Sequence, residues 1–365
     1  MPKIRYYISG HGLGHASRSC QIINTLRRRH GDIAVEVVSD AHEWFFRSFL
    51  DPSVSLRRAQ LDIGVLQLDS LRMQEAQTLT AYREFLPQRQ LLAAAEAASL
   101  RAERVSLVAA DIPPLALAAA RQAGIPGIGI ANFTWEWIYA DLVARYGGFD
   151  DVLTSVREDY RQASGYLRLP FHGPFPEEVP SEELPLVARS ARLSRAQVRE
   201  HLALAPDQRL ALISFGGFGL ADFDFSALAR LRDWVFVSEA GLSTEAPNIL
   251  TLPPDTLAYP DLVGAADVVV TKPGYGIVSE AIVNGTAVLY TSRGAFCEQA
   301  LLVAGLERYA RARGISNEKL LRGDWGEDLE ALLRQPLPTA TLACNGDQIA
   351  ADRLAILARE PGTFA

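Results

Sequence analysis

The sequence has few cysteines and no long apolar segment. Cys20, Cys297 and Cys344 are far apart and odd in number, which argues against a disulfide framework and for reduced thiols. No Cys/His cluster has zinc-ligand spacing, no apolar run approaches the ~18 residues of a membrane span, and the N-terminus lacks a signal-peptide pattern. We therefore expect a cytoplasmic protein without a transmembrane segment; peripheral membrane contact stays open.

The chain also lacks an excess of basic residues. Its 365 residues include 36 Lys and Arg against 43 Asp and Glu, for a net charge of −7. The run Arg27–Arg29 ends a predicted helix, where cations complement the helix dipole. This balance argues against nucleic acid as a partner. Hydrophobic residues make up 48% of a chain long enough for two cores, so we expect two soluble globular domains.

Two common nucleotide-binding motifs are absent, although a glycine turn follows the first predicted strand. The apolar segment Ile4–Ser9 leads into Gly10-His-Gly-Leu-Gly-His15 and then into a helical pattern. The spacing is not the dinucleotide fingerprint Gly-x-Gly-x-x-Gly, and the Gly-Lys-Ser/Thr ending of a P-loop is missing. Glycines let the backbone approach a ligand and a helix N-terminus attracts anions, so Gly12 and Gly14 are candidate diphosphate-binding residues.

Two histidines lie in that turn. A neutral imidazole can accept a hydroxyl proton, which is the work of a general base. The alternative is that one histidine caps the helix or packs against the core. Because His11 and His15 occur within five residues at a strand end, we interpret them as candidate catalytic bases.

Strand and helix patterns alternate along both halves of the chain. The predicted strands of the first half are Ile4–Ser9, Ala34–Ser39, Leu107–Ala110 and Ile128–Ala131, and the predicted helices are Ala16–Arg29, His42–Leu50, Gln74–Leu100, Leu115–Ala123 and Trp135–Arg145. The predicted strands of the second half are Leu210–Ser214, Trp234–Ser238, Ile249–Leu252, Asp267–Thr271 and Ala287–Tyr290. Such alternation predicts an α/β protein with parallel sheets covered on both faces by helices.

The predicted domains are residues 1–180 and 181–345, followed by a C-terminal helix in 346–365 that packs back on the first domain. The segment Arg168–Pro185 contains five prolines and is predicted to be an extended linker. Two doubly wound domains should face each other across a cleft, with ligands at the carboxyl ends of the strands.

The second half carries two further glycine turns after strands. In the first, Gly216 and Gly217 are weak candidates for diphosphate binding, since many strand ends carry glycines for packing. The second is more specific. In Thr271–Glu280, a strand ends at Lys272 and a helix follows Gly274-Tyr-Gly276, so the lysine and the helix N-terminus form an anion cradle. The alternative is a strand cap with a solvated lysine.

Other polar residues follow strands in the same way. Glu280 lies one helical turn beyond Gly276, within reach of ribose hydroxyls. Glu298 and Gln299 begin a helix and could hold sugar hydroxyls or merely cap it. The remaining candidates are acceptor-binding residues of the first half, namely Asp111, Asn132 and Trp135, and we expect one of Trp135 and Trp137 in the site and the other in the core. Asp222-Phe-Asp224 has the spacing of the Asp-x-Asp metal-binding motif, but no other acidic residues accompany it that could complete a metal site. We therefore expect a loop with a helix cap and no metal.

These motifs resemble those of the GT-B glycosyltransferases, including the peptidoglycan N-acetylglucosaminyltransferase group. The resemblance is stronger to the N-terminal, glycosyltransferase-like half of plant L-arabinokinase, through Ser9–Arg18, Asn132–Asp141 and Gly274–Ala281, and it spans nearly the whole chain. The kinase half is missing, so kinase activity is not carried over. Lys272-Pro273 departs from the small residues usual in the peptidoglycan enzymes.

The resemblance implies a glycosyltransferase without a cofactor. A UDP-linked sugar would be the co-substrate, and a small-molecule or lipid-linked alcohol the acceptor. Lys272–Gly276 would hold the diphosphate, Glu280 the ribose, Glu298 and Gln299 the donor sugar, and His15 or His11 would act as base in an inverting, metal-independent reaction.

Two alternatives to this function stay open. One is a nucleotide-sugar epimerase or phosphorylase, and the other is a non-catalytic sensor acting with a sugar kinase. The donor sugar, the acceptor and the oligomeric state are not predicted.

Overall fold

The computed structural model describes residues 1–69, 71–215, 223–238, 246–253 and 256–360. The chain forms two compact units. The first consists of Met1–Leu66, Met73–Val187 and Ala343–Ala365, and the second of Gln67–Arg72 and Ala188–Leu342. The chain thus enters the second unit briefly at Gln67–Arg72, a feature that the sequence pattern did not predict.

The first unit is built on a parallel sheet. Among the described residues its strands are β1 (Lys3–Ile8), β2 (Ala34–Ser39), β3 (Ser55–Arg58), β4 (Leu107–Asp111), β5 (Gly127–Ala131), β6 (Gly165–Arg168) and β7 (Ser181–Glu183). Their order in the sheet is β3-β2-β1-β4-β5-β6-β7, and every neighbouring pair is parallel. The helices of this unit are α1 (Leu13–Arg29), α2 (Glu43–Phe49), α3 (Glu75–Ala102), α4 (Pro114–Ala123), α5 (Trp135–Tyr146), α6 (Asp150–Tyr160) and α14 (Gly346–Arg359).

The apolar strands lie at the centre of this sheet because helices cover both of its faces. All five residues of β4 and of β5 are buried, and each buried leucine, valine or isoleucine among them contributes about 1.5–3 kcal/mol when its side chain leaves water. Helix α14 packs on α1, where Asp347 Oδ2 accepts hydrogen bonds from Gln21 and Thr25. The C-terminal residues from Ala343 therefore belong to the first unit.

The predicted linker Arg168–Pro185 is wrong as a linker. It contributes the end of β6 and the edge strand β7, whose register pairs Arg168 with Glu183. Its prolines are compatible with a sheet edge, where no second neighbour needs their missing N–H; the carbonyl of Pro180 even accepts a bond from Tyr166 N at 2.9 Å. The first unit extends to Val187, whereas the sequence placed the boundary after residue 180.

The second unit repeats the same architecture. Among the described residues its strands are β8 (Arg209–Ser214), β9 (Trp234–Ser238), β10 (Ile249–Thr251), β11 (Val268–Thr271), β12 (Ala287–Thr291) and β13 (Ala312–Ile315), in the parallel order β10-β9-β8-β11-β12-β13. Its helices are α7 (Arg195–His201), α8 (Ser226–Ala229), α9 (Tyr259–Ala265), α10 (Tyr275–Asn284), α11 (Glu298–Tyr309), α12 (Asn317–Leu321) and α13 (Gly326–Leu333). The prediction of two Rossmann-like, doubly wound units is confirmed.

Candidate functional site

Each sheet has one point where the strand order reverses, and ligands bind there in doubly wound folds. In the first unit this point lies between β1 and β4, so the turn Gly10–His15 meets Asp111 at the end of β4. In the second unit it lies between β8 and β11, next to Lys272. The two switch points therefore carry the two most specific motifs of the sequence.

The first switch point contains a buried network centred on Asp111. Its Oδ1 lies 2.8 Å from His15 Nδ1 and 2.5 Å from Arg18 Nη2, and its Oδ2 lies 2.6 Å from Arg18 Nε. Ser19 also donates to Oδ2, at 3.0 Å. Arg18 reaches further, to Asn132 Oδ1 at 2.6 Å. Asp111 and Asn132 are fully buried, so an arginine fork holds the carboxylate of Asp111 against the imidazole of His15.

The hydrogen bonds assign the tautomers of the two histidines. A carboxylate only accepts, so His15 Nδ1 carries the proton that faces Asp111 and Nε2 is left as the acceptor. Arg18 Nη2 lies 3.0 Å from the same Nδ1, but both are donors that share Asp111 Oδ1. His11 is the opposite case, because its Nδ1 accepts from Val65 N at 3.2 Å and the neutral ring therefore carries its proton on Nε2. Of the two, His15 has the geometry of a general base.

Asp111 is ionised at neutral pH. Burial opposes its charge, but Arg18 and His15 outweigh that cost and lower the pKa of Asp111 to about 2. The folded protein therefore gains stability from this carboxylate above pH 4 and loses it as the pH falls toward 2. A permanent negative charge behind His15 stabilises the imidazolium that a general base forms when it takes a proton.

Trp135 packs against the rings of both histidines. Its indole Nε1 donates to Asp62 Oδ2 at 2.8 Å, and its ring packs edge-on against His11 with 5.1 Å between ring centroids. Burial raises the pKa of Asp62 to about 6, although its hydrogen bonds with Ser9 and Trp135 act in the opposite direction. The close packing continues at Gly64, where a Cβ would lie 2.8 Å from His11 Cβ. The turn is thus held in one geometry by buried neighbours.

All three predicted acceptor-binding residues are buried, so their acceptor-binding role stays a prediction. Asp111, Asn132 and Trp135 each have 0% exposure, because α1 and the histidine turn cover them. Their contacts position His15 and His11. Of the two tryptophans, Trp135 is buried in the core, whereas Trp137 is partly exposed and packs against Gly173, and a role for either in the site stays a prediction.

Replacing Asp111 by Asn should destabilise the protein by about 3 kcal/mol, because it leaves the buried guanidinium of Arg18 without its counter-charge. Chemical denaturation at pH 7 measures this. Asp352→Asn is the matched control, since Asp352 also pairs with an arginine and a histidine, Arg29 and His30, but at the surface. Asp352→Asn should lower the free energy of unfolding by no more than about 1 kcal/mol. Equal losses in both variants would contradict the proposed importance of the buried network.

The second switch point lies at the N-terminus of α10. Gly274 is the N-cap residue with extended backbone, no side chain caps the helix, and the first turn contains no acidic residue. The first-turn N–H groups of Tyr275 and Gly276 therefore belong to an uncapped, electropositive helix end. Tyr275 itself is buried, and Gly276 is partly exposed.

Lys272 stands beside this helix end and is unusual for a lysine. Burial disfavours its ammonium and the guanidinium of Arg293 repels it, so the pKa of Lys272 falls to about 7, although Asp69 and Glu298 raise it. A cation that is this costly to hold suits a site whose ligand is an anion. Asp69 belongs to the short segment Gln67–Arg72 that the chain contributes to the second unit.

Arg293 connects the turn after β11 with the turn after β12. Its Nη1 donates to the carbonyl of Pro273 at 3.1 Å and to Glu298 Oε2 at 3.1 Å. Its backbone N donates to Gln299 Oε1 at 2.5 Å. The predicted sugar-binding residues Glu298 and Gln299 are thus brought together with Lys272 around one arginine.

Glu280 is buried in α10 and is already engaged. Its Oε1 accepts from Arg189 Nε at 2.6 Å, and burial raises the pKa of Glu280 although the charge of Arg189 lowers it. The ribose-binding role of Glu280 stays a prediction, and it requires Arg189 to share or release the carboxylate.

Gly216, Gly217 and Asp222 lie outside the described residues. Asp224 is exposed and its Oδ1 accepts from Ser226 N at 2.8 Å, next to the start of α8.

In the first unit, Gly12 is the N-cap of α1 with φ of +72°, and Gly14 lies in the uncapped first turn. Across the described ranges, no cluster of three or more His, Cys, Asp or Glu side chains could hold a metal ion.

Sequence reasoning missed several residues of both sites. Arg18 lies three residues after His15, and Arg293 five residues before Glu298, so their nearness to a predicted base or carboxylate was the signal that could have identified them. Asp62 and Asp69 gave no signal, because they follow the short polar strand β3, which no apolar pattern marks.

In the described part of the chain, every helix is too short or too polar to cross a lipid bilayer. None of the three cysteines forms a disulfide.

No protein-family model matches the sequence. The chain is 31% identical over 352 residues to L-arabinokinase of Arabidopsis thaliana, a match that covers 95% of this chain and 33% of that protein. The chain therefore spans about a third of the length of the curated relative that it matches.

Solved structures with the same fold cover nearly the whole chain. The kitacinnamycin glycosyltransferase has a TM-score of 0.63 at 19% identity, over 98% of this chain and 94% of its own. Phytolacca americana UGT2, solved with UDP-2-fluoro-glucose and pterostilbene, has a TM-score of 0.61 at 15% identity, over 99% and 100%. MurG of Acinetobacter baumannii has a TM-score of 0.57 at 15% identity, over 97% and 99%. The chain therefore has the GT-B fold of the nucleotide-sugar glycosyltransferases.

Proposed function

We propose that this protein is a cytoplasmic glycosyltransferase. It moves a sugar from a UDP-linked donor to the hydroxyl of a small-molecule or lipid-linked acceptor, with inversion at the anomeric carbon. The observation that carries the proposal is the buried pair of His15 and Asp111 at the first switch point, with His15 Nδ1 2.8 Å from the carboxylate. A sugar hydroxyl or phenol is a poor nucleophile until a base removes its proton, and this pair is built to remove one.

The proposed reaction is a single displacement at the anomeric carbon. The acceptor hydroxyl gives its proton to His15 Nε2 while its oxygen forms a bond to C1 of the donor sugar. The bond between C1 and the diphosphate oxygen breaks, and UDP leaves with the electron pair. Asp111 stabilises the imidazolium that results, and Arg18 keeps the carboxylate in place.

The second unit supplies the positive field for the leaving group. Lys272, Arg293 and the uncapped N-terminus of α10 would stabilise the charge that develops on the diphosphate. Glu298 and Gln299 would contact the donor sugar, and Glu280 the ribose. With these charges in place, the proposed mechanism calls on no metal ion.

A non-catalytic sensor is the second candidate. It is favoured by one observation, that the chain matches about a third of an L-arabinokinase, so a unit of this kind occurs within a sugar kinase. Both candidates bind a nucleotide or a sugar. Only an enzyme converts the bound substrate into products.

The test is a calorimetric binding screen followed by product analysis. UDP, UDP-glucose, UDP-galactose, UDP-xylose and UDP-N-acetylglucosamine are titrated into the protein, and each donor that binds is then incubated with a library of alcohols and phenols. A glycosylated product and free UDP are expected. Binding of UDP-sugars without release of UDP supports the sensor, and no binding of any uridine nucleotide contradicts the proposed function.

A further inference from the structure

Arg293 has contacts that donor binding by itself does not explain. It is 8% exposed, its Nη1 bridges the carbonyl of Pro273 and the carboxylate of Glu298, and its guanidinium lies 4.5 Å from the ring centroid of Phe296. Its Nε is buried and has no hydrogen-bond acceptor among the described residues. A buried N–H of this kind is costly unless an oxygen satisfies it.

We propose that Arg293 is a positioning residue that couples the diphosphate turn to the sugar-binding carboxylate and thereby selects an intact nucleotide sugar over free UDP. The inference rests on the proposed function, since it assigns a task within the same donor site. Arg293 holds Glu298 at the start of α11 and Pro273 just before α10, so the two ligand-binding turns keep one spacing.

The coupling also has an electrostatic side. In the part of the chain that the structure describes, the charged groups that act on Lys272 are Arg293, which repels its proton, and Asp69 and Glu298, which attract it. Among the described residues, loss of the guanidinium leaves Lys272 with two attracting carboxylates and no repelling cation, so its proton is held more tightly. Without Asp69, Lys272 loses an attracting carboxylate and its proton is held less tightly.

The electrostatic side can be measured without any ligand. Lys3, Lys272 and Lys319 are the three lysines of the chain, so competitive acetylation between pH 5 and 10 followed by mass spectrometry gives the titration midpoint of each amine. Wild-type Lys272 should titrate near pH 7. Arg293→Gln should move the midpoint upward, Asp69→Asn should move it downward, and Arg293→Lys, which keeps the charge, should leave it nearly unchanged. A Lys272 midpoint that is the same in all four proteins overturns the inference.

The positioning side is measured with UDP and the UDP-sugar that wild type binds best in the screen. Arg293→Gln and Arg293→Lys should both weaken the UDP-sugar about tenfold more than UDP, because neither keeps the planar bridge between the two turns. Lys272→Ala should weaken the two ligands equally. Equal weakening of UDP and UDP-sugar in the Arg293 variants overturns the inference alone, whereas a wild type that binds no uridine nucleotide overturns the proposed function.

Discussion

His15→Ala should lower the rate of sugar transfer by about 10²- to 10⁴-fold while leaving the affinity for UDP unchanged, because it removes only the general base. The variant should fold, since Asp111 keeps its bonds to Arg18 and Ser19 and no buried charge loses its partner. The measurement is kcat at saturating donor and acceptor, together with calorimetric titration of UDP.

Two histidine controls sharpen this test. His30→Ala lies at the far end of α1, where His30 contacts Asp352 at the surface, and should keep full turnover. His11→Ala should cost less than His15→Ala, because His11 Nδ1 accepts a backbone hydrogen bond and the ring cannot also take a proton there. Full turnover by His15→Ala, or a larger loss in His11→Ala, would contradict the assignment of His15 as base.

The core of the fold was predictable because it consists of apolar strands. The patterns at Ile4–Ser9 and Leu107–Ala110 predict strands that the structure places side by side at the sheet centre as β1 and β4. Edge strands carry no such pattern. Ser55–Arg58 contains two arginines, and Arg57 pairs with Glu96 of α3, so its place in the sheet depends on a partner distant in the chain.

The positions of site residues were predictable only where they adjoin apolar strands. Residues that directly follow predicted apolar strands, such as Asp111 and Lys272, could be placed at the carboxyl end of the sheet, where ligands bind in doubly wound folds. Their burial could not, because it depends on side chains such as Arg18 and Arg293 that reach across from another element. The acceptor-binding role of Asn132 stays a prediction for that reason, since its Oδ1 already accepts a hydrogen bond from Arg18 and its side chain is buried.

Lys272→Ala should weaken UDP binding by about 10²-fold, because it removes a mostly buried cation from the site that receives the diphosphate. In wild type the affinity should also depend on pH. Only the ammonium form of Lys272 attracts the diphosphate, and the pKa of the free protein's Lys272 is about 7, so the affinity is full below pH 7 and falls as the pH rises above it. Calorimetric titration of UDP between pH 7 and 9, where the terminal phosphate is already ionised, measures both effects.

Lys319→Ala is the matched control in the same unit. Lys319 is a surface lysine that pairs with Asp328, and Arg313 keeps that carboxylate paired when Lys319 is removed. Its variant should retain wild-type affinity for UDP and the wild-type decline toward pH 9, whereas Lys272→Ala should bind weakly at every pH with the decline abolished. The decline is the sharper criterion, because distortion of the site would lower the affinity at all pH values, whereas only the loss of the titrating amine removes the dependence on pH. If Lys272→Ala retains the decline, another group is titrating, and Lys272 is then not the cation that receives the donor.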